Sequence, residues 1–192
     1  MGSSRTEQKA ATRETILRIA ERLFGERGLF AVSTADVARV SGISHGALFV
    51  HFPRREDLQQ EVISRVGYRI AAAVHEAAGS GADLDGILRS HLQAIAREEA
   101  FYSRLLAEGP MLGIAARSAV IGVQSAVAHH LIAEQALPVP DGDIWFNAWL
   151  GLVHHYILNR DLFAPEGSVV EKYGERLIEY FCGIVSRSGG EK

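Results

Sequence analysis

Cysteine is almost absent from the 192-residue sequence. Cys182 stands alone, which excludes an internal disulfide and any zinc site built on several thiolates. This fits a reducing cytoplasm, and Cys182 itself reads as a core residue near the end of a helix. Long apolar runs are also missing: the longest uncharged stretches, 118–133 and 144–159, are 16 residues each and carry His, Gln or Asn. Both are too short and too polar to cross a bilayer, so they read as buried helices, and no membrane partner is expected. No strand-like alternation and no internal repeat appears. A phosphate-cradling glycine loop, a nucleophile elbow and a metal-ligand helix motif are all lacking, so neither an enzyme nor a cofactor is expected.

An overall excess of positive charge is lacking too, since the net charge is −3. Its distribution says more than its sum. Residues 1–55 hold nine basic and five acidic side chains, or +4; the remainder holds eleven and eighteen, or −7. A basic N-terminal module on an acidic body implies that only the first part meets phosphate.

What is present is helical pattern. Residues 1–11 are small and polar and read as a flexible arm, from which Arg5 and Lys9 can reach outward. Ile16, Ile19, Ala20, Leu23 and Phe24 then share one helical face, and Gly28 stops that helix. Ser33 and Asp36 form an acidic capping box for a second helix, with Val37, Ala38 and Val40 facing inward. Gly42 supplies a positive φ for a tight turn, Ile43 plugs the angle, and Ser44 caps a short third helix over 45–50. Pro53 leads into a long helix over 56–78 with Leu58, Val62, Val66, Ile70 and Val74 as its spine. Further helices are predicted over 84–100, 101–108, 111–136, 142–159 and 169–186, with breaks at 109–110, 138–140 and 164–167. The fold class is therefore all-α. An N-terminal three-helix helix-turn-helix domain (residues 1–55) precedes a larger helical domain (residues 56–192).

Two short helices across a tight turn suit entry into a DNA groove. Small or polar side chains at Ser44, His45, Gly46 and Ala47 let the third helix sit deep. His45 is placed to donate to a guanine N7 or O6, and Ala47 to touch a thymine methyl. Ser33, Thr34, Ser44, His51, Arg54 and Arg55 are candidates for phosphate contact. The residues Ser33-x-x-Asp36-Val37-Ala38, Gly42-Ile43-Ser44-x-Gly46-x-Leu48-Phe49-x-His51-Phe52 and Arg55-Glu56-x-Leu58 resemble the N-terminal signature of TetR-type (TetR/AcrR) transcriptional regulators. The likeness covers about a quarter of the chain. Phe49, within the DNA-binding set, stands where that family most often has tyrosine, so a hydroxyl that commonly meets a phosphate is missing. Arg55 replaces the usual lysine and keeps its charge.

The resemblance implies a ligand-responsive regulator, more often a repressor, that binds a palindromic double-stranded DNA operator. It also implies a homodimer formed by the last two long helices and a small-molecule effector whose binding tilts the fourth helix. On the residues themselves, helix 142–159 is apolar on two faces, Trp145, Trp149, Leu152 and Tyr156 on one, Phe146, Leu150, Val153 and Ile157 on the other, and so needs burial twice. The last helix offers Tyr173, Leu177, Phe181 and Ile184, with Gly174 and Gly183 for close approach. A largely apolar effector site is sought among Phe101, Tyr102, Leu105, Met111, Trp145, Trp149 and Tyr156, with His91, Arg117 or His154 as polar anchors. The same aromatics also serve as plain core. His129-His130 and His154-His155 are adjacent pairs that point about 100° apart on a helix, so no metal site is expected. A helical protein that sequesters a small molecule and keeps a vestigial DNA-binding module is the alternative reading.

Overall fold

The computed structural model describes residues 4–133, 137 and 141–188. Ten α-helices appear among them, and no strand: α1 (Arg5–Arg27), α2 (Thr34–Val40), α3 (His45–His51), α4 (Arg55–Gly79), α5 (Leu84–Arg97), α6 (Glu99–Glu108), α7 (Ile114–Ala133), α8 (Gly142–Leu158), α9 (Arg160–Phe163) and α10 (Val169–Ser188), with a 3-10 turn at Gly109–Met111. The all-α expectation holds. Expected helix residues 134–136 and the break at 138–140 lie outside the described residues, as does the start of the arm at 1–3. The rest of that arm is a correction. Ser4 and Glu7 form a full capping box, so α1 begins at Arg5 rather than at Thr12. Helix α9 was not anticipated from the sequence.

The chain divides into two compact units, one of residues 1–65 and 100–120, the other of 66–99 and 121–192. Helix α4 contributes its first half to one and its second half to the other. In the first unit Ile16, Ala20, Leu23 and Phe24 of α1 are buried with Val37, Ala38, Leu48, Phe52, Leu58 and Val62, the side chains that the helical spacing turns inward. Phe101, Tyr102 and Leu105 of α6 are buried in this unit as well. Their helix comes close to α1: a Cβ built on Gly25 would stand 3.2 Å from the Phe101 amide nitrogen.

In the second unit α10 packs on α5 and α8. Trp149 is completely buried, with its ring centroid 5.2 Å from that of Phe181. Helix α10 starts on a borrowed cap: the buried Glu99 carboxylate accepts from the Val169 amide at 3.1 Å and from the Ser168 hydroxyl. Gly67 on α4 has a steric reason, because an added Cβ would fall 2.0 Å from Val123 Cγ2 on α7.

Candidate nucleic-acid interface

The α2–α3 connection is a Schellman turn. Gly42 takes φ 71°, the Ile43 amide donates to the Ala38 carbonyl at 3.1 Å, and the Gly42 amide donates to the Arg39 carbonyl at 3.3 Å. Ser33 caps α2, its hydroxyl accepting from the Asp36 amide at 3.1 Å, while Asp36 accepts in return from the Ser33 amide at 3.2 Å. The Ser33 hydroxyl also donates to Asp36 at 2.6 Å. With that bond as the main cause, aided by Arg39, the Asp36 carboxyl is held down to about 2. Ser44 caps α3 through the Ala47 amide at 3.1 Å. These local bonds set the second short helix against the first with its own outer face in solvent.

That outer face carries His45, Gly46, Phe49 and Val50, all exposed, and the half-exposed Ala47. No atom lies within 4 Å of a Cβ built on Gly46. Packing within the chain therefore does not require glycine there, whereas close approach of an outside surface does. The His45 Nε2 and the Thr34 hydroxyl oxygen are 2.9 Å apart, and the His45 and Phe49 rings lie 4.8 Å apart between centroids.

The expected phosphate contacts separate into two groups. Thr34, Ser44 and Arg54 sit at the surface, although Arg54 holds Asp57 at 2.7 Å and thereby lowers the Asp57 pKa. His51 is half-buried, with no hydrogen-bond partner for Nδ1 among the described residues. Desolvation, and then the charges of Lys9 and Arg13, lower its pKa. Those two cations stand near the end of α3, and Arg13 is itself paired with Glu61.

Arg55 is a correction. Its Nη2 donates to the carbonyls of Leu29 at 2.8 Å, Phe30 at 2.8 Å and Val32 at 3.0 Å, so the guanidinium faces the α1–α2 loop instead of an outside anion. Gln59 adds a bond to the Leu29 carbonyl at 3.0 Å, and Glu108 accepts from the Phe30 amide at 3.0 Å. Gly28, at φ 97°, is pressed against the same Glu108 carboxylate. Neither Gln59 nor Glu108 carried a sequence signal, since their partners lie 30 and 78 residues away.

The expected effector residues fall in both units. Phe101, Tyr102 and Leu105 are buried in the first; burial raises the Tyr102 pKa. Met111 and Arg117, also in the first unit, are exposed. The Pro110 turn carries Met111 outward, leaving it 65% exposed. In the second unit the buried Trp149 indole donates to His91 Nδ1 at 3.0 Å. Desolvation, followed by the neighbouring His154, lowers His91 to about 4, and desolvation lowers His154 to about 4 as well. Both imidazoles are thus neutral at pH 7, polar groups without charge in an apolar interior. Trp145 is half-buried with its ring 6.1 Å from Phe181. Tyr156 stacks on Phe163 at 4.5 Å and lines an open groove of about 650 Å³ with Tyr173, Arg176, Tyr180 and Arg187.

The last helix also turns differently from its expected interface. Of the expected set, Gly174, Leu177 and Phe181 are buried within the unit, Tyr173 and Gly183 are half-buried and Ile184 is exposed, with Tyr180 the other large hydrophobic side chain exposed on this helix. Histidine clustering gains one member unseen in the sequence, as the His75 ring lies 4.7 Å from that of His130. Among the described residues no three His, Cys, Asp or Glu side chains converge to hold a metal ion. Nor is any described helix long and apolar enough to cross a membrane.

Fold and surface together define a helix-turn-helix protein with an all-helical body. Residues 16–62 match the family described as bacterial regulatory proteins, tetR family. A transcriptional repressor of the helix-turn-helix type from Rhodococcus jostii, KstR2, is 32% identical over 94 residues, covering 47% of this chain and 46% of the repressor. The chain thus aligns with about half the length of this curated relative. Among solved structures, a tetR-family transcriptional regulator from Streptomyces coelicolor superposes with a TM-score of 0.75 at 18% identity, over 100% of this chain and 85% of the other. One from Legionella pneumophila gives 0.73 at 19% identity, over 96% and 98%. These likenesses extend the shared fold through the body.

Proposed function

We propose that this protein is a ligand-responsive transcriptional regulator, a repressor, which binds a palindromic DNA operator as a homodimer and is released by a small, largely apolar effector. The observation that carries the reading is the outer face of α3, where Gly46 has open space around it beside the exposed His45. A recognition helix needs such a face in order to bring its first residues against base edges. His45, Gly46 and Ala47 approach the bases, with Phe49 supporting from the next turn. Ser44, His51 and Arg54 are the candidates to meet phosphates, Thr34 stands against the His45 ring, and Lys9 adds charge beside His51. Ser33 serves through its cap, and Arg55 through the loop it holds. In domain terms, residues 1–55 supply the DNA-contacting module, and residues 56–192 supply effector binding and dimerisation in the cytoplasm.

The neutral His91 and His154 beside Trp149 support an uncharged effector that exchanges a hydrogen bond, with Trp145 and Tyr156 as the further candidates within the same unit. Exposed Ile144 and Leu158 on α8 and Tyr180 and Ile184 on α10 support pairing of two chains through these helices. The test is a mobility shift with the DNA upstream of the protein's own coding region, in the presence of unrelated competitor DNA. Retention of that fragment, weakening steeply as salt rises, is expected. Equal retention of any competitor would overturn the regulator reading.

A further inference from the structure

We propose that Thr34 and Phe49 are positioning residues that fix the His45 ring for reading one guanine in each half-site; this rests on the DNA-binding reading above. Thr34 opens α2 and His45 opens α3, and their side chains meet across the helix-turn-helix, with Oγ1 and Nε2 2.9 Å apart. One turn further along α3, the Phe49 ring lies at 4.8 Å and 51° to the imidazole. An exposed imidazole ordinarily turns about two bonds and must be ordered when it binds; a ring held by a hydrogen bond on one side and an aromatic face on another is ordered beforehand.

The bond also selects which atom is left for an outside partner. With Nε2 engaged, Nδ1 is the remaining hydrogen-bonding atom of the ring. In the proposed arrangement the Thr34 hydroxyl donates its hydrogen to Nε2, 2.9 Å away. In the neutral ring the proton then resides on Nδ1, which donates. A single donor approaching the major groove finds two adjacent acceptors, N7 and O6, on guanine, whereas adenine sets an N6 donor beside its N7. Gly46 and Ala47, next in the chain, put no bulk in the way. The missing tyrosine hydroxyl at position 49 takes on a use in this arrangement: an unsubstituted ring offers its face to His45 without bringing a polar group of its own to the contact.

The experiment selects bound duplexes from a randomised double-stranded DNA pool with the full chain and its variants, and measures the affinity of each for the selected duplex and for the same duplex with one base pair changed. Wild type is expected to enrich a guanine at one position of each half-site. Both Thr34→Val and His45→Ala are expected to lose roughly 10-fold discrimination at that position only. Thr34→Ser, which keeps the hydroxyl, is expected to retain it, and Phe49→Leu to reduce it. A Thr34→Val protein that keeps the guanine preference overturns the proposal. So does one that loses affinity equally for every sequence, which is what a purely structural role would produce. Failure of wild type to enrich any sequence would instead overturn the DNA-binding reading on which the proposal stands.

Discussion

Replacing Arg55 with alanine separates the two roles that a basic residue at this place can have. Its Nη2 faces three carbonyls, but one terminal nitrogen carries two hydrogens, so two bonds at full strength are the limit. The Leu29 carbonyl keeps its bond from Gln59, and Phe30 is exposed, so its carbonyl is open to rehydration. Val32 is buried, and its carbonyl loses a charge-assisted bond with nothing to replace it. Such a bond contributes about 1.5–3 kcal/mol, and partial exposure of the arginine trims it, so Arg55→Ala should lower stability by about 2 kcal/mol. Urea unfolding followed by circular dichroism measures this, and amide exchange should quicken within the α1–α2 loop. Arg55→Lys should recover part of the loss. The slope of log affinity against log salt for DNA should stay as in wild type. Unchanged stability together with a slope smaller by about 0.9 per protomer, or about 1.8 for the proposed dimer, would mean that Arg55 meets a phosphate, and would refute the assignment.

Three further outcomes follow from the packing and the buried histidines. Gly46→Ala should gain about 0.5 kcal/mol, because the helix gains propensity and the methyl meets open space, yet it should weaken DNA binding by standing between helix and groove; tighter DNA binding would contradict the close approach. Gly67→Ala should lose about 1–2 kcal/mol despite its better propensity, because the methyl meets the stiff, branched Val123 side chain; adding Val123→Ala should restore part of it, and strictly additive losses would contradict the clash. His91 is lowered from 6.5 to about 4 in the fold, so the unfolded chain takes up its proton first as pH falls. Its contribution is complete above pH 6.5 and declines as pH drops toward 4, by up to about 3 kcal/mol. His154 is lowered to about 4 as well, so His91→Gln, which keeps an acceptor for Trp149 without titrating, should make the fall in urea-unfolding stability across that window about half as steep; an equally steep fall would place the titration elsewhere.

The N-terminal module was legible because its signals are local. The alternating faces of α1, the Ser33–Asp36 box, Gly42 and Ser44 each act within four residues, and the structure carries all of them. The start of α1 was misread because the Ser4–Glu7 box lies inside a polar stretch that composition alone marks as a tail. Long-range polar contacts left no trace. Arg55 reaches carbonyls 23 to 26 residues back, Glu99 caps a helix about 70 residues on, and Glu108 holds an amide 78 residues away. On α10 the exposed side is mostly charged, with Glu171, Glu175, Arg176, Glu179 and Arg187, and only Tyr180 and Ile184 interrupt it, so the side chains expected at an interface, Leu177 and Phe181, are instead the buried stripe of the helix. Among the candidate effector residues, aromatic content could not distinguish the fully buried Trp149 from the groove-lining Tyr156, since both sit on one apolar helix.

The central claim is that the α2–α3 surface reads DNA sequence, and the ratio of two affinities tests it most directly. Fluorescence anisotropy of the full chain would be measured with a duplex selected for binding and with a scrambled duplex of equal length and composition, both at physiological salt. The account requires the selected duplex to bind at least about 1,000-fold more tightly, with most of that ratio lost in His45→Ala. Equal affinity for the two duplexes would contradict it.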